Sequence, residues 1–382
     1  MQRTETAINR ELETESHTNP NINPNKNHPQ EHQTELPVEP KKKAGKLQIG
    51  LIVFSLVFLV FFLIKEDGIS SVPLLFQGKY ALMIGVACLC MLVSWLAEAG
   101  VLFFTVRSSS VPIHYGTAFR ICMIGLYFNT VTPLSTGGQP SQAYQLHKRG
   151  MSYGEAVSGL YSKFLTYQVT YTVYCAVILI LQFTAFRNSQ GNLVFLSLIG
   201  FVVQIAVSLG LLSMAFFKKG TTAVATGLIR LLGKLRIFKA PDRQIERLLK
   251  EIDTFHSQSR EVFRQKKRLL ISFLLTMVQL TAFYSVGYAL YLCFASQIDA
   301  GFFTILSSQV FIALISSVVP LPGAVGAAEG SFYYFFQLYF PASVLSLVMI
   351  LWRMMTFYMP LLVGLMMTIT WRKQKVPVKN ED

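Results

Sequence analysis

Charge is what this sequence has least of. Asp, Glu, Lys and Arg together make 14 % of its 382 residues, against about 25 % in a soluble domain. Apolar side chains make 52 %, and Phe alone occurs 30 times. A water-soluble fold could not cover its surface with so few charges, so the chain reads as an integral membrane protein. Catalytic signatures are missing too. No His-Glu-x-x-His, Gly-x-Ser-x-Gly or Cys-x-x-Cys occurs, and no Gly-Lys-Ser/Thr follows a glycine cluster. Zinc-protease, serine-hydrolase, thiol-redox and P-loop chemistries are therefore not indicated. The five cysteines, Cys88, Cys90, Cys122, Cys175 and Cys293, lie in apolar segments without metal-ligand spacing and read as packing residues. His114, His147 and His256 have no obvious partners. No cofactor and no metal are expected.

Positive charge is present, but locally. Residues 1–46 carry 7 basic and 7 acidic residues, whereas 218–268 carry 14 basic and 5 acidic, and 371–382 carry 4 and 2. A basic patch confined to one loop of a membrane protein reads as cytoplasmic and lipid-facing, not as a nucleic-acid surface. Residues 1–46, rich in Asn, Glu, Thr and Pro, read as a disordered cytoplasmic tail. A membrane domain then covers 47–370, followed by a cytoplasmic tail at 371–382.

Six runs are long enough to span: Leu47–Ile64, Tyr80–Thr105, Ala156–Phe183, Leu193–Phe217, Leu269–Phe294 and Ala342–Thr370. The first follows Lys41–Lys43 and Lys46 and has no small-residue cleavage site, so it reads as a retained anchor. Loops 65–79, 184–192 and 295–301 hold only Lys65, Lys79 and Arg187. By the positive-inside rule they lie outside, and both termini lie in the cytoplasm.

Two further apolar stretches are interrupted. The first, 117–132, stops at Thr-Pro-Leu-Ser-Thr-Gly-Gly-Gln-Pro (132–140), and its 14 central residues would reach only about 21 Å as a helix. It predicts a re-entrant hairpin entering from the cytoplasm. The second, 302–340, is broken by Pro-Leu-Pro-Gly-Ala-Val-Gly-Ala-Ala-Glu-Gly (320–330), and is either an external hairpin or two short spans. The expected fold is thus all-α and polytopic, with about six full spans and two Gly/Pro-broken hairpins. Each half reads span, span, hairpin, span, with directions reversed. That is an inverted-repeat topology, whose broken segments point to a transport site near the midplane.

At the breaks, Gly137, Gly138, Gly323 and Gly326 could open backbone N–H groups and helix N-termini to a bound anion, or simply permit close packing. The candidate substrate-binding residues at the first break are Asn129, Thr132, Thr136, Gly137, Gly138 and Gln139, and at the second Pro320, Pro322, Gly323, Gly326 and Glu329. The intramembrane charges Glu98, Arg120, Lys163, Glu329 and Arg353 are each costly in hydrocarbon. The three cations suit a lipid phosphate, and Glu98 or Glu329 a headgroup amine. A Glu329–Arg353 ion pair is the structural alternative, and Arg120 could instead snorkel to the interface. Within 218–268, Leu228, Leu231, Leu232, Leu235 and Phe238, then Ile245, Leu248, Leu249, Ile252 and Phe255, recur at helical spacing. These predict amphipathic helices that either lie on anionic lipid of the inner leaflet or pack on the spans.

The segments Tyr-Phe-Asn-Thr-Val-Thr-Pro-Leu-Ser-Thr-Gly-Gly-Gln-Pro-Ser-Gln-Ala-Tyr (127–144) and Pro-Leu-Pro-Gly-Ala-Val-Gly-Ala-Ala-Glu-Gly-Ser-Phe (320–332) resemble the signatures of the flippase-like membrane domain of lysylphosphatidylglycerol synthases. The resemblance covers roughly 47–370 and suggests a stand-alone member of that membrane-region family. It implies a multi-pass protein of the bacterial cell membrane that moves amino-acylated phosphatidylglycerol outward, lowering surface negative charge and conferring resistance to cationic peptides. Many relatives carry an acidic residue and an arginine in the first motif; here Gln139 and Gln142 stand nearby. The family's soluble aminoacyl-transfer domain is expected to be absent. The expected partner is an anionic or aminoacylated phospholipid. Alternatives are a membrane component of a lipid-modifying system with a separate synthase, or a carrier for polyprenyl-phosphate-linked or small amphipathic substrates.

Overall fold

The computed structural model describes residues 78–107, 111–132, 135–220, 264–294 and 300–372, with a few positions between 222 and 257. The expected first span at 47–64, both tails and most of the basic loop lie outside the described residues. No strand occurs among those described. The longer helices among the described residues are α1 (Gly78–Val106), α2 (Tyr115–Val131), α3 (Gly138–His147), α4 (Tyr153–Phe216), α5 (Lys266–Phe294), α6 (Phe302–Ser317), α7 (Ala327–Phe336), α8 (Ala342–Arg353) and α9 (Met359–Arg372). A short 3-10 turn, Pro322–Ala324, precedes α7, and a π-helical segment, Met354–Tyr358, joins α8 to α9.

Among the described residues five stretches are long and apolar enough to cross a membrane: Tyr80–Val106, Tyr153–Thr184, Leu193–Ser213, Lys266–Phe294 and Ala342–Thr370. They match five of the six expected runs, and the chain is an all-α polytopic membrane protein. The structure departs from the expected loop at 184–192, where the backbone keeps helical turns throughout. The chain nevertheless reverses there. Gln204 Nε2 donates to Gln168 Oε1 at 3.1 Å, and Thr172 and Ser208 hydroxyls meet at 2.8 Å. A straight helix would hold residues 36 apart about 54 Å from each other. The Tyr161 hydroxyl reaches the Leu211 carbonyl, consistent with two antiparallel limbs. At its start α4 is fixed by a capping box, with Ser152 Oγ accepting from Glu155 N and Glu155 Oε2 from Ser152 N, each at 3.2 Å.

Both interrupted stretches are helical hairpins. In the first, α3 returns along α2: Gly138 lies beside Asn129, and Gln142 beside Gly125. In the second, Phe311 of α6 stacks on Phe335 of α7 at 5.7 Å, and Ser308 bonds Tyr339 beyond it. With 10 to 17 residues each, the limbs would rise about 15 to 25 Å, short of a full crossing. Pro320, which cannot extend the hydrogen-bond ladder of α6, follows its end closely.

The halves interlock. α1 and α5, the matching spans, share the most extensive helix contact. The first hairpin packs through α2 on α9, and the second through α6 on α4. Close approach relies on glycine: a Cβ on Gly364 would meet the Met123 carbonyl at 2.4 Å, and one on Gly200 the Leu314 carbonyl at 2.1 Å. Such small-residue seams drive helix association where lipid removes the hydrophobic incentive. Phe186, in the reversal of α4, lies 4.9 Å from Phe311 and 5.9 Å from Phe335 by ring centre, pinning the second hairpin.

Candidate functional site

At the first break, the two glycine N–H groups that could have faced a ligand are satisfied within the hairpin. Gly137 N–H donates to Thr132 Oγ1 at 2.9 Å, and Gly138 N–H to Asn129 Oδ1 at 2.8 Å. The close approach has no room for side chains, since a Cβ on Gly138 would fall 2.2 Å from Asn129 Oδ1. Asn129 and Thr132 therefore close the tip from α2, a role their polar character did not distinguish from ligand binding. Thr136 is exposed and Gln139 half-buried at the same tip.

The second break is tied by charge. Glu329 Oε2 accepts the Gly326 N–H at 2.7 Å and caps α7. Its Oε1 lies 2.7 Å from Arg353 Nε, an ionic contact without hydrogen-bond alignment. Arg353 also donates through Nη2 to the Gly323 carbonyl at 3.1 Å and sits over the rings of Trp352 and Phe357, 5.1 and 5.5 Å from their centres. Gly323 holds φ +65° with Phe357 packed where a Cβ would lie, a backbone conformation and a closeness that favour glycine. Pro322 lies in the 3-10 turn, and Pro320 is exposed. Thus Gly323, Gly326, Glu329 and Arg353 come together, in the pairing that stood as the structural alternative.

Glu98 and Lys163 form a separate cluster between α1 and α4. Lys163 Nζ donates to Glu98 Oε1 at 2.7 Å and to Cys122 Sγ at 3.6 Å, while the Cys122 thiol points to the Glu98 carbonyl at 3.8 Å. Sequence reasoning treated Cys122 only as packing; its spacing from Lys163 gave no sign of this contact. The tip turn at 322–324 touches α2, and the π segment touches α1. The second break therefore borders the helices that carry Cys122 and Glu98.

Arg120 is not gathered into these clusters; it is exposed near the start of α2. Its neighbour is Arg149, half-buried after α3, whose pKa is lowered by burial first and by the charge of Arg120 second. A groove of about 380 Å³ on α5, lined by Met277, Val278, Thr281, Ala282 and Ser285, lies at none of the charged clusters. Among the described residues no group of His, Cys, Asp and Glu has the geometry to hold a metal ion.

Residues 47–364 match the lysylphosphatidylglycerol synthase TM region. The chain belongs to this family. Similar proteins include a UPF0104 membrane protein of Archaeoglobus fulgidus, 24 % identical over 318 residues, covering 83 % of this chain and 94 % of that one. Another UPF0104 membrane protein, from Methanothermobacter thermautotrophicus, is 24 % identical over 242 residues, covering 61 % and 68 %. Both relatives are consistent with a stand-alone member, and their names say membrane protein and no more.

Proposed function

We propose that this family member binds a phospholipid, anionic or aminoacylated, at the two broken hairpins and moves its headgroup between leaflets of the bacterial cell membrane. The observation that carries the reading is the pairing of the breaks. By the sequence reading they occupy matching places in oppositely running halves, and in the structure the tip of the second lies against α2 of the first. Matched interruptions in inverted halves are the usual place for a transport site, and rocking one half against the other would expose it alternately. Arg120 and Arg149 would meet headgroup phosphate at the cytoplasmic side, and the basic loop 218–268 would hold anionic lipid of the inner leaflet. Both termini are cytoplasmic in this reading. A contribution to envelope charge and cationic-peptide resistance would follow if the cargo is lysyl-phosphatidylglycerol supplied by a separate synthase.

The test is transbilayer movement of labelled lysyl-phosphatidylglycerol and phosphatidylglycerol in proteoliposomes, comparing native protein with Glu329→Gln and Gly138→Leu. Movement faster than in empty liposomes and lost in both variants is expected. No acceleration by folded native protein overturns the reading for these lipids and points to the polyprenyl-phosphate or solute alternatives.

A further inference from the structure

The two buried ion pairs among the described residues are not equivalent. Arg353 is permanently charged and has a second hold on the Gly323 carbonyl; Glu329 uses both oxygens, and the side chains are 7 % and 1 % exposed. That pair is fixed. Lys163 and Glu98 are 13 % and 12 % exposed, Lys163 bonds one carboxylate oxygen, and its other described contact is a thiol, a weak partner. Lysine is a compact point charge that suits a phosphate as well as a carboxylate.

A low-dielectric site must stay close to neutral, because an unpaired buried charge is far costlier than a paired one. Lys163 can therefore exchange Glu98 for a lipid phosphate only if the carboxylate is neutralised as the phosphate arrives. One proton does this. Hydronium gives its proton to Glu98, leaving water and a carboxylic acid; the ammonium stays protonated and now balances the phosphate. Before and after, the site carries one positive and one negative group.

Tyrosines line the spans beyond this pair. Lys163, Tyr167, Tyr171 and Tyr174 fall at i, i+4, i+8 and i+11, one face of α4 climbing about 16 Å. The Tyr167 and Tyr171 rings stack at 5.8 Å, and Tyr167 lies within the field of Glu98. Tyr171 bonds the Tyr284 hydroxyl on α5. Tyr288 and Tyr291 continue that face of α5, with rings stacked at 5.9 Å, and the Ala300 N–H donates to the Tyr291 hydroxyl at 2.8 Å. Hydroxyls both give and accept protons, and in this column the Tyr171–Tyr284 bond crosses from α4 to α5 above the ion pair. The groups facing Glu98 are Lys163 and Tyr167 from α4 and Cys122 from α2. α5, packed along α1, sets Leu275 against Gly100 two residues on.

We infer that Glu98 is a proton-binding site whose protonation hands the Lys163 ammonium to the phosphate of an anionic phospholipid, so that one proton travels with each lipid. The inference rests on the lipid-moving reading for its purpose, but the proton site can be measured without transport. Infrared difference spectra of the purified full chain, taken on adding phosphatidylglycerol, should show one carboxylate converted to carboxylic acid. The band should be lost in Glu98→Gln and in Glu98→Gln/Lys163→Gln, the double variant leaving no unbalanced charge to hinder folding. A band that survives in the double variant, or no band in native protein, overturns the inference whatever the liposomes show. In proteoliposomes, a gradient of one pH unit should concentrate phosphatidylglycerol about tenfold in the leaflet facing the alkaline side, with no response to membrane potential because a proton and a monoanion sum to zero. Tyr171→Phe and Tyr284→Phe should slow this response. Lipid movement indifferent to the gradient would sink the coupling while leaving translocation standing.

Discussion

Glu329 holds both sides of the second break: one carboxylate oxygen accepts the Gly326 N–H at 2.7 Å, and the other lies 2.7 Å from Arg353 Nε on the next span. A single side chain thus starts α7 and binds its hairpin to α8. Glu329→Gln should leave Arg353 buried without a counter-charge and cost about 3–5 kcal/mol. Thermal unfolding in detergent checks this, and Glu329→Gln/Arg353→Gln should recover much of the loss.

Gly323→Ala places a Cβ 2.1 Å from Phe357 Cε2 in a backbone with φ +65°. Two penalties follow, a clash and a left-handed conformation costing about 1–2 kcal/mol. Adding Phe357→Ala should relieve the first and not the second. Unfolding midpoints of the single and double variants, each against its own glycine parent, separate the two.

At the first tip, Asn129→Ala removes the acceptor for the Gly138 N–H. A loss of about 1 kcal/mol is expected, as for other lost helix caps. Asn129→Asp keeps an acceptor oxygen and should retain most of the stability. Equal destabilisation by both would argue against a capping role.

Gln204 contacts Gln168, Thr172 and Ser208 within the α4 hairpin. Gln204→Leu should loosen the two limbs by about 0.6–2 kcal/mol, the range for hydrogen bonds between membrane helices. Hydrogen exchange along Tyr153–Phe216 should accelerate around the substitution.

The proposed orientation is checked by labelling single cysteines introduced at Ser70, Ser109 and Ser296. A membrane-impermeant maleimide should reach Ser70→Cys and Ser296→Cys from outside intact cells, and Ser109→Cys only after permeabilisation. The opposite pattern would invert the topology.

Much of the architecture was legible because hydrocarbon imposes length and polarity limits that a sequence cannot hide. The spans within 80–105, 269–294 and 342–370 stand out as apolar runs, and Pro133 and Pro320 mark where helices must stop. The reversal of α4 was legible as a reversal, but not its helical backbone, since Asn188-Ser189-Gln190-Gly191 carries ordinary loop chemistry. The sites were less legible. Asn129 and Thr132 are polar residues beside a glycine pair, which fits ligand binding and self-capping equally until the hairpin closes. The contact of Lys163 with Cys122 joins residues 41 apart on different helices, and no local pattern encodes it.

The π segment Met354–Tyr358 has a consequence for everything after it. A π turn accommodates one residue more than an α turn, so it resets which faces the last span presents before and after the segment. Before it, Arg353 points to the second hairpin; after it, Gly364 meets the Met123 carbonyl of α2. Removing one residue from the segment would restore α-helical register and swing α9 by about 100° about its axis. A larger side chain would then face the seam where Gly364 now fits, and the grip of the last span on the first hairpin would be released with no charged residue having been touched.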